Sequence, residues 1–462
     1  MIEFSKGTLA AVLGCKLPLV LAGMGGVARA ELVGAVTDAG GFGFLGMVRE
    51  PPELIAHEIS ELRAQGCSRF GVNLIPAATD PGLLQRQIAV CIAEKVPVVC
   101  LFWEMDLAVV NRLRQAGIMV AYQVGSVEEA LAAEAAGCGL IIAQGVEAGG
   151  HVRGTTPLAQ LLPAVVDAVS VPVLAAGGLG SGADLVTAMG LGADGIVIGT
   201  AFMAAAESYA HTYHKQALVA AKASDTVLTD KFHINWPRGA MVRVLDNPVT
   251  RGERGDPFAD ERIVIGDEAG RAILRFSTDS PSRVMIGAFA DMALYAGTGV
   301  GSIEQIAPAA VLVDRIMAGA QQLLEVTTEC SDRRTYSSAV CYVDEVYGDY
   351  NGQLDADQLD ADLLALEEIM TTMLSLALAP SGGTECTGAP PFNRGAADYA
   401  GWLLRLREIS GHTGCRSRTN PELGELAALH ASARRQLGAT IPRLADGPVR
   451  DTLVALRVYL EN

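Results

Sequence analysis

The chain has 462 residues, half of them hydrophobic, with 51 glycines, 19% charged residues and a formal net charge of −17. That length exceeds the roughly 250 residues of one α/β barrel, so more than one unit is expected, and the apolar content excludes a disordered chain. The acidic balance argues against a nucleic-acid partner and against docking on an anionic membrane.

Apolar runs such as Val96–Trp103 and Gly139–Ala143 fall far short of the ~20 residues that span a bilayer. They read instead as buried parallel strands. The first residues carry Glu3 and no long apolar core, unlike a secretory signal. Nine cysteines show no CxxC spacing, so neither a zinc site nor a disulfide framework is expected, and a reduced, cytoplasmic protein is.

In chain order, strands are predicted over Leu17–Ala22, Gly41–Met47, Arg69–Ile75, Pro97–Trp103, Ile118–Val124, Cys138–Gln144, Val171–Ala176 and Asp194–Gly199. Helical spacing fills Ala30–Ala39, Pro52–Gln65, Pro81–Glu94, Ser126–Ala136, Pro157–Ala168 and Gly182–Met189. Eight such units favour an α/β fold with a closed (β/α)8 TIM barrel. An open doubly wound sheet is the alternative, because periodicity alone does not close a barrel.

After the eighth strand, 201–290 reads as an inserted segment with helix signals at Ala201–Ala223 and a polar stretch from Phe232 to Asp260. Val300–Val326 reads as an amphipathic helix finishing the wall, which sets the barrel domain at 1–326. Thr327–Tyr350 is polar. Asp355–Ala379, Ala396–Ile409, Pro421–Leu437 and Asp446–Leu460 then carry 3.6-residue apolar spacing. Residues 335–462 are therefore expected to form a C-terminal helical bundle, by default an interaction or homo-oligomerisation module.

Barrel enzymes place their functional groups at the C-terminal ends of the strands. Strand one ends in Ala22-Gly23-Met24-Gly25-Gly26, a loop open to close approach by a flat ligand, though glycine loops are also common turns. Asn73 and Gln123 end strands three and five; their amides suit the donor/acceptor edge of a flavin pyrimidine, or else satisfy local backbone. Strand six leads through Gly149 and Gly150 to His151, set in a loop over the mouth and suited to proton abstraction near neutral pH. Gly177 and Gly178 follow strand seven; Gly199 and Thr200 follow strand eight. Loops at those two places form the phosphate cradle of such barrels, so a monophosphate ligand is expected.

Leu19–Gly26, Gly71–Asn73, Gln144–His151, Ala175–Gly178 and Gly192–Phe202 together resemble the nitronate monooxygenase (2-nitropropane dioxygenase) family, related to the FMN-dependent enoyl-acyl-carrier-protein reductase II. The resemblance covers roughly 10–326. It implies an FMN-binding barrel in which Gly177, Gly178, Gly199 and Thr200 hold the phosphate. Met24, Asn73, Gln123 and Gly150 would line the flavin beside Ala22 and Gly23, and His151 matches the catalytic histidine. It further implies oxidation of alkyl nitronates with O2, or else reduction of enoyl thioesters with NAD(P)H; a non-catalytic flavin-fold scaffold ranks below both. At Leu294–Val300, Thr298 stands where the family often has Gln, and Phe232–Pro237 resembles family variants with no assigned substrate.

Other constellations read as structural. His211 and His214 stand at i, i+3 but lack further ligands, so a solvated helix face is expected. Asp349–Asp360 lacks the glycine of a calcium loop, with Leu354 in its place. Glu367, Glu368, Glu425 and His430 lack the Glu-x-x-His spacing of a di-iron bundle.

Overall fold

The computed structural model describes residues 8–323. The 335–462 bundle expected from the sequence lies outside the described residues, as do the acidic segment 349–360, Glu367, Glu368, Glu425 and His430. One compact unit comprises residues up to Ser181 and Gly192–Met317; Gly182–Leu191 groups with Ala318 and the described residues after it.

β1 (Leu19–Leu21), β2 (Phe42–Gly46), β3 (Gly71–Leu74), β4 (Val98–Phe102), β5 (Met119–Val124) and β6 (Leu140–Gln144) run in order around the sheet. β7 (Gly150–Val152) leaves it, and β8 (Val173–Ala176) and β9 (Gly195–Ile198) complete it. Every neighbouring pair is parallel, and Leu19↔Ile196 closes the ring. The closed barrel therefore stands and the open sheet is excluded.

Nearly every strand residue is buried, because helices cover one face of the sheet and its own side chains fill the other. Val20, Phe44, Val98, Ala121, Ile142 and Leu174 share one interior cluster. Leu9 and Leu13 of α1 (Thr8–Leu13) join it. A Cβ on Gly195 would lie 3.1 Å from Leu9, so α1 plugs the N-terminal end of the barrel. Chemistry is left to the other end.

The outer helices are α2 (Ala30–Asp38), α3 (Pro52–Ala64), α4 (Pro81–Ala93), α5 (Leu107–Gln115), α6 (Val127–Ala135) and α7 (Leu158–Ala168); in the chain α8 (Gly182–Gly190) follows β8. Asp80, Asp106 and Ser126 accept hydrogen bonds from first-turn N–H groups of α4, α5 and α6, satisfying donors that a helix start leaves orphaned. α5 is missing from the sequence reading. It buries only Val109, Val110 and Leu113, too short a stripe for periodicity to register; the Asp106 cap was the usable signal.

The inserted segment differs more. Ala201–Ala223 holds two short helices, α9 (Thr200–Met203) and α10 (Thr212–Ala220). β10 (Thr226–Thr229) and β11 (Met241–Leu245) then make an antiparallel sheet in the order β10-β11-β7. β12 (Val264–Glu268), β13 (Arg271–Leu274) and β14 (Met285–Gly287) form another, in the order β13-β12-β14. The helix expected over Val300–Val326 begins only at 309. Thr298–Ser302 is a 3-10 turn, and Pro308, directly before the helix, could not donate within a longer one.

Among the described residues no helix is long and apolar enough to cross a membrane. Cys15, Cys67, Cys91, Cys100 and Cys138 are free and buried.

Candidate active site

One cavity opens at the C-terminal ends of the barrel strands, and every site residue expected from the sequence lines it. The turn after β1 is packed to its limit. A Cβ on Gly23 would sit 2.3 Å from the Asn73 Cβ, and one on Gly46 would sit 1.9 Å from the Met24 carbonyl oxygen. Glycine at these positions therefore allows the Met24 turn and the Asn73 side chain to meet. Asn73 is buried and donates from Nδ2 to the Cys100 carbonyl (3.4 Å). Gln123 also faces the cavity.

After β8, Gly177 and Gly178 take φ of 111° and 74°, a left-handed conformation that only glycine adopts readily. Among the described residues no protein acceptor takes the backbone N–H of Gly177, Gly178, Gly199 or Thr200. Thr200 Oγ1 accepts from the Gly297 N–H (3.0 Å), so its own hydroxyl proton remains to be donated. Successive free N–H groups of this kind make an anion-binding concavity, and their number and chemistry fit a phosphate group.

His151 lies in β7, not in a loop. Val242 of β11 pairs with it, and the Gln144 side chain ties it to the barrel: Nε2 donates to the His151 carbonyl (2.9 Å) and Oε1 accepts from the Arg153 N–H (3.2 Å). The imidazole stacks on Trp236 (centroids 3.3 Å apart, planes at 21°) and meets the edge of Trp103 at 6.2 Å. Its Nε2 is sealed from solvent and has no partner among the described residues. Burial first, and the Arg49 guanidinium second, hold His151 well below its ordinary pKa of 6.5. It is therefore neutral at pH 7, with a nitrogen free to accept a proton.

Arg49, Trp103, Trp236 and Tyr295 escaped the sequence reading as site residues. Arg49 Nη1 donates to the Asn235 carbonyl (2.9 Å) and Nη2 to Thr278 Oγ1 (3.4 Å); no carboxylate pairs with it among the described residues. Tyr295 donates to the Thr278 carbonyl (2.7 Å), and its ring lies 5.8 Å from His151. Arg49 and Trp103 stand just beyond β2 and β4, where the strand-end rule would have found them. Trp236 comes from a segment noted only as resembling family variants with no assigned substrate, and Tyr295 from one noted only for Thr298.

No group of three or more His, Cys, Asp or Glu among the described residues could hold a metal. The solvated face expected for His211 and His214 needs correction. His211 Nδ1 accepts from the Tyr213 N–H, capping α10, and His214 is fully buried. A carbonyl only accepts, so His214 Nε2 carries the proton given to the Tyr295 carbonyl (3.1 Å), and Nδ1 accepts from Ser280 Oγ (3.2 Å).

Burial lowers the His214 pKa from 6.5 to about 4. Between those values the unfolded chain binds a proton that the native state refuses, so stability falls as pH drops through this window. His214 alone should account for about 3 kcal/mol between pH 7 and pH 4. Urea unfolding of the wild type and His214→Gln at both pH values checks this: the wild type should lose about that much more than the variant.

A nitronate monooxygenase family model matches residues 6–83 and 77–319. A probable nitronate monooxygenase of Staphylococcus aureus (strain MRSA252) is 31% identical, over 53% of this chain and 80% of that protein. Among solved structures, FabK from Thermotoga maritima is similar with a TM-score of 0.61 and 28% identity, over 70% of this chain and 99% of that one. A nitroalkane oxidase from Streptomyces ansochromogenes follows with a TM-score of 0.55 and 29% identity, over 68% and 98%.

Proposed function

The chain belongs to the nitronate monooxygenase family of flavin-dependent oxidoreductases, and from that premise we propose that it binds FMN across the barrel mouth and oxidises small alkyl nitronates with O2. The observation that carries this reading is a single cavity lined by four unpartnered backbone N–H groups and by a neutral, unpartnered imidazole nitrogen.

Gly177, Gly178, Gly199 and Thr200 would hold the phosphate through those N–H groups and the Thr200 hydroxyl. Ala22, Gly23, Met24 and Gly150 would lie along the ring system, with the Asn73 and Gln123 amides offered to its pyrimidine edge. When bound, FMN supplies the electron path from substrate to oxygen. His151 Nε2 takes the proton from the carbon bearing the nitro group when the substrate arrives as a neutral nitroalkane. Trp103, Trp236 and Tyr295 shield that nitrogen from water, and the Arg49 charge favours an anionic nitronate there.

The likeness to FabK from Thermotoga maritima favours a second reading, reduction of an enoyl thioester with NAD(P)H. Paired assays separate the two. The first reading expects oxygen uptake with propionate-3-nitronate and slow NAD(P)H oxidation with crotonyl thioester; the reverse pattern would replace it by the second.

A further inference from the structure

We propose that Trp236 sets the chain length of the substrate, by filling an apolar alcove beside His151; this rests on the function proposed above. Trp236 comes from the inserted segment, not from a barrel strand. Its ring lies flat on the His151 imidazole (3.3 Å, 21°) and meets Trp103 edge to face (5.6 Å, 82°). It packs in one cluster with Val48, Ile75, Phe102 and Ala240. Val48, Ile75 and Phe102 also line the cavity that holds His151. The indole therefore takes up the apolar volume that the alkyl tail of a substrate turned toward His151 would need.

The manner in which Trp236 is held separates it from an ordinary core residue. A tryptophan N–H shielded from solvent normally finds an acceptor, yet the Nε1 of the half-buried Trp236 has none among the described residues. The backbone fixes it instead. The Trp236 backbone N–H donates to the His233 carbonyl (3.1 Å), and Arg49 Nη1 donates to the carbonyl of Asn235 (2.9 Å). Arg49 has a φ of 61°, a left-handed conformation disfavoured for a long side chain, whereas Asn235, at a φ of 74°, is of a type that tolerates it. The strained Arg49 clamped onto Asn235, with the indole nitrogen left unsatisfied, holds the ring over His151 against local preference. Strain of that kind gathers where a side chain must be aimed.

The test loads wild type, Trp236→Phe and Trp236→Ala with FMN and titrates each with 1-nitroalkanes from nitroethane to 1-nitrooctane. Anaerobic calorimetry gives Kd, and oxygen uptake with the matching nitronates gives KM and kcat. In the wild type, affinity should stop improving after the shortest chains. In Trp236→Ala it should tighten by about three- to fourfold per added methylene over the next few, with Trp236→Phe between them. KM on the nitronates should follow Kd across the series in each protein. Parallel chain-length profiles in all three proteins, with nitroalkanes bound, would overturn the proposal and leave the proposed function standing. Absence of nitroalkane binding by every FMN-loaded protein would overturn both. Should Trp236→Ala fail to take up FMN, Trp236→Leu takes its place.

Discussion

His151→Asn is expected to lower kcat/KM on neutral nitroalkanes by about two to four orders of magnitude, while FMN stays bound. Gln144 grips the backbone of His151 and not its ring, so the substitution removes the proton acceptor without loosening β7. The loss should shrink sharply on a preformed nitronate, whose carbon has no proton left to give. Equal losses on both substrates would remove proton abstraction from the role of His151. Arg49→Met supplies an independent reading. The Arg49 charge disfavours the imidazolium, so removing it raises the His151 pKa and moves the acid limb of the kcat/KM profile to higher pH. A limb that stays in place would show that the base is another group.

The barrel was legible because its strands are buried on both faces, so each reads as an uninterrupted apolar run such as Val98–Phe102. The glycine loop after β8 was legible for a related reason. Gly177 and Gly178 need positive φ, and that need leaves glycine in the sequence wherever the backbone turns close to a ligand. His151 was found through the same strand-end logic, although its environment was not. β7 is three residues long, and its pairing with β11 leaves no local pattern at either end. Trp236 and Tyr295 reach His151 by that long-range route, so their role lies in tertiary structure alone. His214 misled for the complementary reason. Its i, i+3 partner His211 suggested one exposed face, whereas Ser280 and Tyr295, both far along the chain, satisfy its two nitrogens in the interior.

Gly178→Ala should weaken FMN binding by about ten- to a hundredfold and leave riboflavin binding within a few-fold of wild type. With a φ of 74° at this position, any side chain costs about 1–2 kcal/mol. The new Cβ would also stand 2.8 Å from Thr298 Oγ1 and 3.0 Å from the Glu147 Cβ. Neither neighbour can yield freely. The Thr298 N–H is bound to the Glu147 carbonyl (3.0 Å), and a Cβ on Gly299 would lie 2.5 Å from the Gly178 carbonyl oxygen, so the three segments interlock. The Gly178 loop must then shift, and its N–H is lost to the phosphate. A hydrogen bond to a charged group is worth about 1.5–3 kcal/mol, which sets the expected range. Riboflavin has no phosphate and serves as the internal control under fluorescence titration. Thr298→Ala in the same chain removes the hydroxyl the new methyl strikes, so the double variant should recover part of the FMN affinity, a coupling that additive effects would not give. Equal weakening of FMN and riboflavin would place the phosphate elsewhere in the cavity.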